Sequence, residues 1–353
     1  MPILNDQHMK KFSLVLAAML IFFGCSEAEH SFEFTELNTQ SSSSLRAISA
    51  VDENIVWASG SQGLVLLTLD GGSSWVRMTI PDCEDTEFRS LHAWDAKRAL
   101  VFDVSPLGRA FMTTNGGQSW EMVYQSNVDG AFFNSLKFAD DKHGIAISDP
   151  IDEHVFILRT EDGGRNWKRL INTPPSHEGE INFAASNTCI EYLPSGEIYI
   201  VTGGSRSRVL SSGDHGENWE FIETPALTGP SAGLFSVNFT KAGNGIAVGG
   251  DFNDPAREGV RAITTSDGGR LWQEAEHMPM EYRSCVIAVN NKLLFTIGKT
   301  GCDYSLDNGK NWIFIDSTGY YVADAVEGKN ILFVAGSEGR FAKVKVSISQ
   351  SKD

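Results

Sequence analysis

Hydrophobic residues occur along most of the chain in short runs that alternate with polar positions, and long helical runs are missing. The first complete group of runs predicts four strands, which we label A to D: Leu45–Val51, Ile55–Ala58, Leu64–Leu69 and Ser74–Thr79. Alternation with a period of two and enrichment in β-branched residues are typical of short β-strands. The pattern therefore predicts an all-β fold.

One motif, Ser/Thr-x-Asp/Asn-x-Gly-x-x-Trp, separates strands C and D in six repeat units. Asp or Asn binds downstream backbone N–H groups, Gly supplies the positive φ of a tight hairpin, and Trp packs against the neighbouring sheet. The expected structural residues of these motifs are Asp70, Trp75, Asn115, Trp120, Asp162, Trp167, Asp214, Trp219, Asp267, Trp272, Asp307 and Trp312. Six copies spaced by 40 to 53 residues predict the blades of a β-propeller.

A seventh group of strands follows the last motif but lacks a strand D. Its predicted strands are Tyr321–Val326, Ile331–Ala335 and Phe341–Val346, and the alternating segment Phe32–Leu37 supplies the missing fourth strand. We prefer this seven-bladed ring to six blades because closure by both termini removes exposed sheet edges. The predicted domain covers residues 32–347, with a linker at 26–31 and a tail at 348–353.

The N-terminus has the pattern of an export signal. Lys10 and Lys11 precede an apolar run from Phe12 to Phe23, which is too short to span a bilayer. Gly24-Cys25 resembles a bacterial lipobox with Cys25 as the lipidated residue, although Phe22 stands where Leu is usual. The alternative to lipidation at Cys25 is an ordinary signal peptide that is cleaved. A separate open point is the start of translation, which is at Met1 or at Met9. We expect an exported, periplasmic or cell-envelope protein that touches a membrane only through this anchor.

The net charge and the cysteine content limit the partners and cofactors that this protein can have. A net charge of −16 disfavours nucleic acid as a partner, because phosphate binding needs a concentrated positive field. No spacing typical of a metal, haem or dinucleotide site occurs, so we expect no cofactor. We expect a monomer in which Cys83, Cys189, Cys285 and Cys302 are free thiols, and a Cys285–Cys302 disulfide is the alternative.

The motif resembles the Asp-box (BNR) repeat of sialidase-like β-propellers over nearly all of residues 30–346. Further segments, among them Gly144–Pro150, Ser231–Ser236 and Tyr282–Ser284, resemble the exported propellers related to the photosystem II assembly factor Ycf48. This resemblance implies a non-catalytic protein with a protein or peptide partner. It also implies Asp-box turns on one face and B–C and D–A loops around the channel on the other.

Functional residues are expected in the B–C and D–A loops, of which Asn172–Ser186 is the longest D–A loop. In blades 2 to 6 the A strands are predicted to start near Arg89, Asn134, Asn187, Phe235 and Arg283. Alignment of all seven A strands at these positions and at Arg46 and Tyr321 makes Arg46, Arg89 and Arg283 equivalent, with Tyr321 between them in the ring. These residues are predicted to form a cationic arc for a carboxylate or phosphate. A second set follows B strands and is expected to face the arc: Asp103, Asp149 and Asp251. The alternative is that all these charges pair with one another in a polar funnel.

Two functional classes remain. The first is a binding protein for a protein, a peptide, an anionic glycan or another small anion. The second is a glycoside hydrolase of the sialidase-like class, which needs paired carboxylates, an arginine triad and a Tyr–Glu pair. No residue is assigned a catalytic role, because the Arg-Ile-Pro signature of sialidases is absent. Convergence of Arg46, Arg89 and Arg283 over a Tyr–Glu pair would favour the enzyme.

Overall fold

The computed structural model describes residues 29–240 and 243–349, and Phe32–Ser347 form one compact unit. Seven antiparallel sheets build a β-propeller, as the sequence predicts. No helix in the described part of the chain is long and apolar enough to cross a membrane. The predicted signal segment at residues 1–25, including Cys25, lies outside the described residues, as does the tail from residue 350 onwards.

The strands follow one another around the ring, four to a blade. Blades 1 to 3 contain β2 Leu45–Ala50, β3 Val56–Gly60, β4 Leu64–Thr68, β5 Val76–Thr79, β6 Phe88–Ala93, β7 Ala99–Asp103, β8 Arg109–Thr113, β9 Glu121–Gln125, β10 Phe133–Phe138, β11 Gly144–Ile151, β12 His154–Thr160 and β13 Lys168–Arg169. Blades 4 to 6 contain β15 Ile190–Tyr192, β16 Ile198–Val201, β18 Arg208–Ser212, β19 Glu220–Glu223, β20 Gly229–Phe239, β21 Gly245–Asp251, β22 Ala262–Thr265, β23 Gln273–Glu274, β24 Cys285–Ala288, β25 Leu294–Gly298, β26 Gly301–Ser305 and β27 Ile313–Asp316. Blade 7 contains β28 Val322–Ala325, β29 Ile331–Ala335, β30 Phe341–Ser349 and β1 Glu29–Glu36, with a 3-10 turn at Ser337–Gly339.

Both chain ends complete blade 7, in which the strand order is β1-β30-β29-β28. The Leu37 N–H donates to the Phe341 carbonyl at 2.9 Å. The Phe32 ring lies 5.0 Å from the Tyr304 ring of blade 6, so the N-terminal strand also packs against its neighbour. The predicted closure of the ring by the N-terminal strand is therefore confirmed.

The Asp boxes form the hairpins predicted from their sequence. In the first box, the Thr68 hydroxyl donates to Asp70 at 2.8 Å and accepts from the Gly72 N–H at 2.8 Å, and the Ser74 N–H donates to Asp70 at 2.8 Å. The hydroxyl-to-Asp or hydroxyl-to-Asn bond recurs in the other five boxes at 2.7–3.0 Å. These local bonds satisfy the backbone of a turn in which Gly supplies the positive φ.

The motif tryptophans pack against the preceding blade. The rings of Trp75 and Trp167 meet Phe341 of blade 7 and Phe102 of blade 2 edge-on, at 4.8 and 5.2 Å. The Trp167 indole also donates to the Gly164 carbonyl within its own hairpin at 2.9 Å. These tryptophans thus pack a large apolar surface between their own hairpin and the adjacent sheet.

The inner strands are joined around the channel by bonds from side chains to backbone. Along the channel, side chains of the neighbouring blade accept from backbone N–H groups on the inner edge of several A strands. Examples are the Ala50 N–H to Asp324 at 2.8 Å, the Ala93 N–H to the Ser49 hydroxyl at 3.0 Å, and the Ala288 N–H to Asn238 at 3.0 Å. Such bonds satisfy buried backbone donors and fix the position of each blade.

Blades 4 and 5 depart from the predicted strand starts at Asn187 and Phe235. Strand β20 begins six residues earlier, at Gly229, and its extension pairs with β17 (Gly203–Gly204), which in turn pairs with β14 (Glu180–Ile181). The pairing requires glycine, because a Cβ at Gly233 would lie 2.3 Å from the Gly203 Cα. This local rearrangement anchors the long D–A loop between blades 3 and 4.

A plugged channel face with an arginine pair

The end of the long D–A loop crosses the channel and closes it. Residues Asn182–Asn187, which we call the plug, bind inner strands of several blades. The Asn187 side chain donates to the Leu91 carbonyl of blade 2 at 2.9 Å, and the Ser186 hydroxyl donates to the Ser284 carbonyl beside blade 6 at 2.7 Å. Sequence length identifies this loop as the longest one, but only the structure shows that it fills the channel. The plug therefore forms part of the channel face that carries the B–C and D–A loops.

Two of the three predicted arginines lie together beside the plug. Arg89 binds Glu87 through two nitrogens at 2.8 Å each and donates to the plug carbonyl of Ala184 at 3.1 Å. Arg46 lies 3.4 Å from Glu87 through its Nε, which is buried and makes no hydrogen bond with any residue that the structure describes. The Arg46 guanidinium also lies 4.1 Å from the centre of the Tyr321 ring, a cation–π contact. Blades 7, 1 and 2 thus contribute to one cluster, which we call the arginine pair.

The arginine pair has more positive than negative charge. Two guanidinium groups share the single carboxylate of Glu87, and the Arg46 side chain is 23% exposed. Burial and the positive charge of Arg89 lower the pKa of Arg46, while Glu87 opposes the shift. Arginine nevertheless stays protonated in proteins. The cluster therefore offers a partly buried, incompletely neutralised cation to an anion that approaches along the channel axis.

An aromatic cluster lies next to the arginine pair. Phe183 of the plug stacks on Phe235 with a ring-centre distance of 3.8 Å, and Tyr282 meets Phe235 edge-on at 4.8 Å. Phe252 lies 6.0 Å from Phe183 and is 36% exposed. Burial raises the pKa of Tyr282, and the positive charge of Arg46 opposes the shift. The face thus combines a partly exposed cation, Arg46, with one partly exposed aromatic side chain, Phe252.

Arg283 does not join this arc, which corrects the predicted set of three arginines. Its side chain is fully buried, and its Nε donates to Asp303 of β26 at 2.5 Å. Asp149 is partly buried and has local partners, because it accepts from the Asn134 side chain at 2.9 Å and from the Asn182 N–H at 3.2 Å. Burial raises the pKa of Asp149. Both residues support the walls of the channel in this structure.

Asp103 and Asp251 close their own B–C loops. Asp103 pairs with Arg109 at 2.8 Å, and Asp251 pairs with Arg257 at 3.1 Å. In both loops the arginine follows the aspartate by six residues. This shared spacing is a sequence signal for the two ion pairs, and an alignment of A strands does not include it because both residues lie outside those strands. In the structure these two carboxylates have local partners, as the polar-funnel alternative described.

The opposite end of the channel contains a pocket that the sequence analysis missed. It has a volume of about 500 Å³ and is closed at its base by Ser186, Asn187 and Thr188. Its charged lining residues include an ion pair between Lys137 and Glu191, whose nitrogen and oxygen lie 3.1 Å apart. Function was expected in the loops of the other face, so this end received no site prediction.

A sequence signal for the pocket exists. Three residues after the aligned A-strand position, five blades carry a polar side chain: Ser49, His92, Lys137, Asn238 and Asp324. All five line the pocket. The alignment that led to Arg46 and Arg89 at one end of the channel thus also leads to these residues at the other end.

The four described cysteines are buried and unbridged, as expected, and no Cys285–Cys302 disulfide forms. Burial raises the pKa of all four thiols, to about 12 for Cys189 and Cys302 and about 11 for Cys285. Thiols with raised pKa values are poor nucleophiles at neutral pH. The cysteines therefore act as small apolar residues of the core.

The fold and its turns define a seven-bladed Asp-box β-propeller with a plugged channel. No family model matches the chain. The chain is 23% identical over 217 residues to the photosystem II assembly lipoprotein Ycf48 of Synechococcus sp. (strain CC9902), a match that spans 62% of this chain and 57% of that protein. The predicted resemblance to Ycf48 is thereby confirmed.

Solved structures of Ycf48 have the same fold. A structure described as YCF48 bound to D1 peptide has a TM-score of 0.65 at 18% identity, covering 89% of this chain and 96% of that one. A structure of YCF48 from Cyanidioschyzon merolae has a TM-score of 0.64 at 17% identity, covering 88% and 98%. At these identities the likeness shows the fold alone.

The geometry does not assemble the arginine triad that a sialidase-like hydrolase needs. Only Arg46 and Arg89 lie together, and Glu87 occupies the space between them as an ion-pair partner. The third arginine, Arg283, is held by Asp303 away from solvent. The arrangement supports anion binding better than glycoside hydrolysis.

Proposed function

We propose that this protein is an exported, lipid-anchored, non-catalytic propeller that binds a protein segment through a carboxylate at the arginine pair. The observation that carries the proposal is that Arg46 and Arg89 share one carboxylate and that the buried Arg46 Nε lacks a hydrogen bond. An incoming carboxylate supplies the missing negative charge at the exposed part of the Arg46 side chain. Tyr321 holds the Arg46 guanidinium in a fixed orientation, which reduces the entropy lost on binding.

The aromatic cluster supplies the second part of the binding surface. Phe252 is partly exposed beside Phe183 of the plug, and the same plug segment accepts a bond from Arg89. A peptide whose carboxylate meets the arginine pair can therefore place an apolar side chain on the aromatic cluster. Aromatic and arginine side chains are enriched among the residues that dominate binding energies.

Two further observations support the biological setting of the proposal. The apolar run before Cys25 has the pattern of a lipoprotein signal, and the Ycf48 relative is described as a lipoprotein. One structural neighbour is described as bound to a peptide. A net charge of −16 favours partners with basic residues around the bound carboxylate, because the rest of the surface repels acidic ones.

The experiment selects ligands from random heptapeptides with free C-terminal carboxylates and measures selected peptides by calorimetry. We expect binding to the protein and a loss of about tenfold or more with Arg46→Gln, because one charge-assisted bond is removed. The matched control is Arg77→Gln, which removes the same charge from the exposed outer strand β5 and should leave affinity unchanged.

Two comparisons test the chemistry of recognition. Each selected peptide is resynthesised with a C-terminal amide, which should weaken binding as strongly as Arg46→Gln does. Sialyllactose serves as the anionic-glycan probe and should neither bind tightly nor be cleaved. Equal affinity of acid and amide peptides, or of the Arg46→Gln and unmodified proteins, overturns the proposal. Cleavage of sialyllactose would favour the hydrolase instead.

A further inference from the structure

The pocket at the Asp-box end of the channel is separate from the arginine pair. The plug lies between the two, with Ser186 and Asn187 forming the base of the pocket. The pocket opens to solvent among the turns that follow the A strands, near Asp140 and Asp141. Its volume of about 500 Å³ lies within the range of small-molecule sites.

The lining of this pocket is negatively charged. One lysine, Lys137, lies among five carboxylates, which belong to Asp140, Asp141, Glu191, Asp324 and Glu327. Lys137 pairs with Glu191, which also accepts from the Asn238 side chain at 2.9 Å. Lys137 makes its ion pair with Glu191 and also acts on Asp324 through its charge, but the carboxylates of the lining outnumber this one lysine. The walls of the pocket are protein, where screening by solvent is weak.

Asp324 is the carboxylate best placed to meet a ligand. It lines the pocket and accepts one backbone N–H on each oxygen, from Ala50 at 2.8 Å and from Ala325 at 3.0 Å. A carboxylate has about four acceptor positions, so these two bonds leave capacity for a further donor. In the described part of the chain, no ion pair joins Asp324 to a cationic side chain.

His92 provides an independent polar group in the same pocket. Its ring stacks on Phe138 at 4.7 Å and meets Trp94 edge-on at 4.5 Å, but neither ring nitrogen makes a hydrogen bond with a described residue. Burial lowers the pKa of His92 to about 3, so the imidazole is neutral and one nitrogen is an acceptor. His92 and Asp324 line the same pocket, so the pocket offers a neutral nitrogen acceptor as well as a carboxylate to a cation with several N–H donors.

We propose that this pocket binds an organic ammonium ion with a short alkyl chain. An ammonium group offers three donors for oxygen and nitrogen acceptors such as Asp324 and His92. Apolar lining residues, among them Ile48, Leu91 and Val237, match an alkyl chain. The described residues include no group of three or more His, Cys, Asp or Glu that could hold a metal ion, so the donor set suits an organic cation better.

The ammonium group has two possible sources, a free diamine or a lysine side chain of a partner protein. In calorimetry, 1,5-diaminopentane represents the free diamine. Nα-acetyl-lysine methylamide, whose side-chain ammonium group is free, represents the lysine side chain of a partner protein. The neutral analogue 1,5-pentanediol, which has the same length and no charge, should not bind. Saturable binding of diaminopentane alone identifies a diamine site, whereas saturable binding of the lysine derivative identifies a site for a protein side chain.

Asp324→Asn removes the charge and keeps an acceptor for the Ala50 N–H, so the fold should be retained. We expect this change to weaken ammonium binding by roughly tenfold or more. The control Glu121→Gln removes the same charge from the outer strand β9 and should have no effect. Absence of saturable binding by both amines, or equal affinity with Asp324→Asn, overturns the proposal. Because selected peptides should still bind the Asp324→Asn protein, this test does not depend on the arginine pair.

Discussion

Asp324 joins blades 7 and 1 while it lines the channel, and its replacement by Asn should stabilise the fold at neutral pH. Burial raises the pKa of Asp324 to about 6 from 3.8, although the Ala50 N–H and Lys137 oppose the shift. A folded-state pKa above the unfolded value means that the stabilising contribution is present below pH 4 and is lost as pH rises through 6. Asn carries no charge and keeps the bond to the Ala50 N–H through its amide oxygen, whereas its NH2 group cannot accept from the Ala325 N–H.

The magnitude follows from the shift of about two pKa units. At 1.36 kcal/mol per unit, ionisation of Asp324 costs about 3 kcal/mol at pH 7. The gain in unfolding free energy from Asp324→Asn is smaller than this cost, because water reaches the half-buried carboxylate and because the substitution removes its attraction to Lys137. We therefore expect Asp324→Asn to raise the unfolding free energy by about 1–2 kcal/mol at pH 7. At pH 4 the two proteins should have nearly equal stability, because the carboxyl is then mostly neutral.

The assay is urea unfolding followed by tryptophan fluorescence at intervals between pH 4 and pH 8. The quantity of interest is the difference in unfolding free energy between Asp324→Asn and the unmodified protein, since other carboxylates cancel in it. This difference should increase mainly between the two pKa values of 3.8 and about 6, with its midpoint at about pH 5, while the surface control Glu121→Gln shows no such trend. A difference that is constant with pH, or an Asp324→Asn protein that is less stable at pH 7, would refute the reasoning.

Three further predictions concern the Asp boxes, the plug and the thiols. Trp167→Ala should lower the unfolding free energy in urea by about 3–5 kcal/mol, since a large buried ring and its contact with Phe102 are lost; a loss below 1 kcal/mol would contradict the role of the motif. Asn187 has a φ of +62°, so Asn187→Ala should destabilise the protein by about 1 kcal/mol more than Asn187→Gly in thermal melts, and equal effects would exclude strain at this position. The buried thiols should react with an aromatic disulfide reagent at pH 8 only after urea is added; they belong to Cys83, Cys189, Cys285 and Cys302. Reaction in the native state would show that these thiols are accessible to solvent.

Most of the fold was predictable because its signals are local. Each Asp box encodes its own hairpin through bonds within seven residues, as between Thr68 and Ser74. The role of the segment from Phe32 to Leu37 followed from counting, because a seventh blade lacked one strand. Short-range turn chemistry and a repeated period therefore determined the number of blades without any information on long-range contacts.

The site was less predictable because an alignment of strands gives a position in the ring but not a partner. Arg46 and Arg283 occupy equivalent positions, yet Arg283 is buried in a pair with Asp303 of β26, whereas Arg46 stays partly exposed. The plug was also hidden from sequence reasoning. Its bonds join residues separated by about a hundred positions, such as Ser186 and Ser284, and no local pattern indicates them.

The central claim, that the plugged face is the binding face, is tested most directly by amide hydrogen exchange with and without a selected peptide. The account predicts slower exchange in the peptide-bound protein within residues 182–187 and at the start of β2 and β6, next to Arg46 and Arg89. Slower exchange confined to the Asp-box turns or to the outer strands would place the ligand elsewhere and contradict the account.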